Sequence, residues 1–202
     1  MEGTDPVNKK LAAALSGGAV LVLALSGCTS GSKSSVSEDK LGTWAKQVCD
    51  AVQPQAKKIA DASTAIQKQT SDNSTPEQVQ KTDSQAFQDM SDAYKAIGAG
   101  VERAGAPEVD SGAAKQKNAV QELNSISTAY AGLQKQMDGL NTKDQAKFAD
   151  GLKGIATQLD KLSKSGNDAL KQLEAGEVGV AMTKQASCKS ASTSASAPAT
   201  TG

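Results

Sequence analysis

From Ser37 to Leu173 the apolar residues return every three or four positions and do not alternate, the pattern of helices that bury one face. The first stripe runs through Leu41, Trp44, Val48, Val52, Ile59, Ala62 and Ile66. Ser35-x-x-Glu38 reads as a capping box at its head. Pro54 predicts a kink or break near 50–53, because proline removes one hydrogen bond and crowds the preceding turn. A turn at Ser71-Asp72-Asn73-Ser74 leads into Thr75-Pro76-Glu77-Gln78, which joins an N-cap, a proline at the first helical position and a capping-box glutamine. The second stripe, Val79, Phe87, Met90, Tyr94, Ile97 and Val101, stops at Gly105-Ala106-Pro107. Asp110 is placed to cap the third, which carries Val120, Leu123, Ile126, Tyr130, Leu133, Met137 and Leu140. Thr142-x-x-Gln145 marks the start of the fourth, with Phe148, Leu152, Ile155, Leu159, Leu162, Ala169 and Leu173 on its stripe.

Each segment spans about 30 residues, about 45 Å as a helix, and the connections are short. Short connections make sequential helices antiparallel neighbours, so the pattern predicts an all-α, up-down-up-down four-helix bundle. Between Gly176 and Cys188, Val178, Ala181 and Met182 form a small apolar face, which predicts a short fifth helix against the lower half of the bundle. Beyond Cys188 the chain is Ser, Ala, Thr and Pro and is expected to be disordered over 189–202. Ser91 to Ile97 resembles Ser127 to Leu133, through old duplication or through two helices meeting one packing demand.

A different pattern precedes the stripes. Lys9 and Lys10, the apolar run Leu11 to Leu25, and Leu25-Ser26-Gly27-Cys28 form the charged, apolar and small-residue regions of a lipoprotein signal peptide, with Cys28 as the lipid acceptor. The competing reading, a permanent membrane span, needs roughly 20 apolar residues. This run has 15 and contains Ser16, Gly17 and Gly18. The expected organisation is therefore a leader over 1–27, a flexible Ser/Gly tether over 28–36, a helical domain over 37–188 and the tail. Palmitate-type chains on Cys28 would each contribute about 0.8 kcal/mol per buried methylene. Met1 to Pro6 looks foreign to such a leader, and Val7 is an alternative start. Ser30-Gly31-Ser32-Lys33 matches a serine-hydrolase S-x-x-K pattern but falls in the tether, away from any pocket.

Composition narrows the chemistry. Lys plus Arg and Asp plus Glu number 22 each, so bulk charge recruits neither nucleic acid nor anionic lipid. The chain has no histidine, which removes the commonest general base and metal ligand; no enzyme activity, metal or cofactor is expected. Of three cysteines, Cys28 is assigned to lipid, leaving Cys49 and Cys188 as a disulfide in an oxidising compartment or as two separate buried thiols. A bridge would close a loop of about 139 residues, worth on the order of 5 kcal/mol as an upper figure. Tyr94 and Tyr130 either line a ligand cavity between the second and third helices or are core residues with hydroxyls at the rim. Trp44 either packs near the disulfide or anchors a partner. Asp83, Asp89 and Asp92, with Asp144 and Asp150, read as a solvated polar face in preference to a carboxylate metal site.

The leader with Cys28, Trp44-Ala45-Lys46-Gln47-Val48-Cys49-Asp50, Asp144 to Leu152 and the late Cys188 together resemble the small secreted lipoproteins of actinobacteria, a Streptomyces-type group. The resemblance implies a lipid-anchored helical protein on the outer face of the cell membrane, and brings no assigned activity. The expected role is a monomeric, non-enzymatic binding or scaffolding module of the cell envelope, held to the membrane through Cys28 and meeting an envelope protein. The alternative is a solute-binding sensor or accessory subunit of a membrane transporter or receptor.

Overall fold

The computed structural model describes residues 31–71, 74–165 and 168–195. The leader over 1–27, Cys28 and the two central residues of the first turn, Asp72 and Asn73, lie outside the described residues. Among the described residues there are seven helices and no strand: α1 (Gly31–Ser71), α2 (Pro76–Ala104), α3 (Gly112–Asp138), α4 (Gln145–Ser165), α5 (Asp168–Leu173), α6 (Glu177–Thr183) and α7 (Ala186–Ala195). The four long helices pack as an all-α bundle, with α5 continuing the descent of α4 along α3 and α6 and α7 lying against α1.

Several boundaries differ from the expectation. The tether expected over 28–36 is helical from Gly31, so Ser35-x-x-Glu38 lies inside α1 and does not start it. Helix α1 also runs unbroken through Pro54. Asp50 and Pro54 stand on one exposed face of α1, at the edge of its contact with α7. The single fifth helix is two short ones, α6 and α7, and α7 carries the chain to Ala195 through the first half of the tail expected to be disordered.

The starts of the other helices separate good signals from near misses. At α2 the capping box is complete: Gln78 N donates to Thr75 Oγ1 at 3.4 Å, and Thr75 N donates to Gln78 Oε1 at 2.8 Å. At α3 the cap is Ser111 and not Asp110; Ser111 takes a left-handed conformation with φ 59° and makes no side-chain cap bond. The tight entry depends on Gly112, where an added Cβ would lie 2.0 Å from the Pro107 carbonyl oxygen. At α4 the cap is Asp144 and not Thr142, since Asp144 Oδ1 accepts from Lys147 N at 3.1 Å.

The core has two levels. The lower cluster joins Leu41, Trp44, Ala45 and Val48 of α1 to Ile97 and Val101, Ala119 and Leu123, Leu173, and Val178 and Ala181. The upper cluster joins Ala62 to Ala86, Phe87, Met90, Leu133, Met137 and Ile155. Between them α2 meets α3 through a polar and aromatic band. Ser91 Oγ donates to the Ser127 carbonyl at 2.9 Å, and Tyr94 stacks on Tyr130 with centroids 5.6 Å apart and planes 7° from parallel. Two matching positions of the similar segments, Ser91 with Ser127 and Tyr94 with Tyr130, thus meet across the helix pair.

Candidate functional site

A groove of about 990 Å³ lies between the upper halves of α1 and α2. It follows from small residues: Ala62 and Ala65 on α1 and Ala86 on α2 let the backbones approach and leave a shallow floor. Its walls are polar, with Gln69 and Lys58 on α1 facing Lys81, Gln85, Asp89 and Asp92 on α2. Gln85 Nε2 donates to Asp89 Oδ1 at 2.9 Å, and Gln88 Nε2 donates to Asp92 Oδ2 at 3.0 Å, so both carboxylates are held along the α2 rim. A trough of this kind offers amides, carboxylates and ammonium groups to a polar partner above a floor of alanines. Elsewhere the surface is equally polar; Val180, 57% exposed, is the one large apolar side chain left open among the described residues.

The residues singled out from sequence fall in three places. Cys49 and Cys188 form a disulfide with Cα atoms 4.9 Å apart, which fastens α7 to α1. Beside it Ser187 Oγ donates to Asp50 Oδ1 at 2.7 Å and Lys46 pairs with the same carboxylate. Those hydrogen bonds, Lys46 first and then Ser187, hold the Asp50 carboxyl below its ordinary range. Trp44 belongs to the lower core: it is 5% exposed, and its indole Nε1 donates to the Gly105 carbonyl at 2.7 Å, satisfying the end of α2.

Tyr94 and Tyr130 occupy the space between α2 and α3 with their own rings. Burial raises both phenols; Tyr130 is pushed up to about 12, by burial first and then by Tyr94. The aspartates do not converge. Asp144 caps α4, Asp150 pairs with Lys153, and Asp89 and Asp92 follow the groove rim. No group of three or more metal-ligating side chains is assembled among the described residues.

Asp83 differs from the other four. It is 7% exposed, its Oδ1 accepts no hydrogen bond, and burial pushes its carboxyl up to about 6. Its spacing carries a signal: it lies four residues after Val79 and four before Phe87, a seat that the stripe reserves for an apolar side chain. The groove has no such signal, because its lining, Ala62 apart, falls on the polar side of both stripes.

No protein family, curated protein or solved structure matches the chain. Among the described residues no helix is long and apolar enough to cross a membrane.

Proposed function

We propose that this chain is a lipid-anchored, extracytoplasmic, non-enzymatic binding or scaffolding module of the cell envelope. The observation that carries the reading is Leu25-Ser26-Gly27-Cys28 behind a charged and apolar leader, followed by a helical domain whose remaining two cysteines are bridged. A disulfide between residues 139 positions apart suits a protein that folds in an oxidising compartment. The α1–α2 groove supports recognition of a polar partner at the upper half of the bundle, which this reading sets away from the membrane.

The same groove favours a second reading, presentation of a small polar solute to a membrane transporter or receptor, because it is large enough for one while the Tyr94–Tyr130 space is filled by the rings. Expression of the full chain in a bacterium that processes lipoproteins tests the anchor. Wild type should take up labelled palmitate and sediment with membranes, and Cys28→Ser should do neither. A wild-type chain that stays unlabelled overturns the anchoring. For the binding role, a photo-crosslinker at Thr82 in the groove should give a discrete adduct on intact cells that is missing from a crosslinker at Lys171. An absence of adducts from every face overturns the scaffold reading, and a melting shift with a small solute but no protein adduct selects the second.

A further inference from the structure

Asp83 is buried, ionisable and used by neither the groove nor the clasp. On α2, Ala86 lies toward α1, while Gln80 and Ser84 bond to α3: Gln80 Nε2 donates to the Met137 and Leu140 carbonyls at 2.9 Å, and Ser84 Oγ reaches Asp138. Asp83, between these faces on the helix, points to the centre of the upper cluster, which α4 closes with Ile155 and Leu152. A carboxylate there would normally be met by donors, yet Oδ1 has none. The other orphan at this end, Gln69 Oε1 on α1, is an acceptor like Oδ1.

The charged groups on the surrounding elements turn elsewhere. On α2, Glu77 and Lys81 are exposed. On α3, Asp138 takes hydrogen bonds from Ser84 and Gln134. At the head of α4, Lys147 pairs with Asp144 at 3.3 Å, and on α1 Lys68 is exposed. None of them moves the Asp83 equilibrium, which burial alone shifts. Helix α4 is the element able to respond. It lies against α3, meets α1 and α2 through apolar side chains, and carries Gly151 and Gly154 in its middle.

We propose that Asp83 makes the upper half of the bundle an acid-tightened joint: the neutral carboxyl lets the cluster close, and ionisation admits water and loosens α4 while the disulfide-fastened lower half stays shut. The sign follows from linkage. A folded-state carboxyl raised from 3.8 to about 6 binds more protons when closed than when open, so closure weakens as pH rises through that interval. Over the whole interval the opening constant can grow by about 100-fold at most.

Hydrogen exchange on the oxidised, intact protein, corrected for intrinsic rates, reads this directly. Between about pH 5 and about pH 7.5, opening of residues 79–90 and 148–159 should rise about tenfold, with residues 44–52 and 97–101 unchanged. In Asp83→Asn the upper half should stay tight at both values. Upper-half opening that is flat with pH in wild type, or that keeps its pH dependence in Asp83→Asn, overturns the proposal. Should the variant fail to fold, carboxyl carbon titration of wild type decides: a midpoint near 6 for Asp83 supports the joint, and one near 4 overturns it.

Discussion

At Gly100 α2 lies close against α1, and replacing it with alanine sets two known effects against each other. An added Cβ would lie 2.7 Å from the Cβ of Ala51. Both atoms are fixed by helical backbone, so no rotamer change relieves the overlap and the helices must part by most of an ångström. Loss of a helical glycine favours folding by about 1 kcal/mol, while overpacking of a close-packed seam costs about 1–3 kcal/mol. The upper part of that range applies, because Val48 and Val101 pack the lower cluster beside the contact and resist separation. Gly100→Ala should therefore lose about 1–2 kcal/mol net. The single tryptophan, Trp44, sits in that cluster and reports urea unfolding by fluorescence. Ala51→Gly should rescue Gly100→Ala in a double-mutant cycle with a coupling of about 2 kcal/mol. Gly154→Ala, where an added Cβ meets nothing within 4 Å, should gain about 0.5–1 kcal/mol. A Gly100→Ala protein as stable as wild type, or a cycle with no coupling, would refute the claim that this contact sets the α1–α2 spacing.

Three further outcomes can be checked on the same protein. Denatured wild type should show no free thiol at Cys49 or Cys188, and Cys49→Ala with Cys188→Ala should lose about 2–5 kcal/mol in urea unfolding. Thr75→Ala removes the side-chain half of the α2 capping box and should cost about 1 kcal/mol in the same assay. Ultraviolet titration should place the Tyr130 phenol near 12; its folded value is raised above 10.0, so this group's contribution falls as pH climbs from 10 to 12, and Tyr130→Phe should flatten that loss.

The bundle is legible in the sequence because helical period and turn chemistry agree over long stretches. Thr75-Pro76-Glu77-Gln78 states both the cap and the first helical residue, and the stripes from Leu41 to Leu162 supply the two core clusters. The pattern misleads where neighbouring residues compete for one task. Asp144 and Thr142 both suit an N-cap, as do Ser111 and Asp110, and only the path of the incoming turn decides between them. Pro54 reads as a break, yet α1 continues through it with Asp50 and Pro54 on its exposed face. The groove is hidden since alanines among polar residues look like ordinary helix surface; its shape exists only when two helices meet.

The Ser91–Ser127 and Tyr94–Tyr130 band has a consequence for how the helices keep their alignment. A bundle rich in alanine has smooth sides, and two such helices could slide past each other by one turn, about 5.4 Å, with little loss of contact. Here a slip in either direction would pull the tyrosine rings out of their stack and leave the serine hydroxyls without their partners. The band works as a detent. It fixes the axial position of α3 against α2, and with it the height at which the end of α3 meets Gln80 and Ser84.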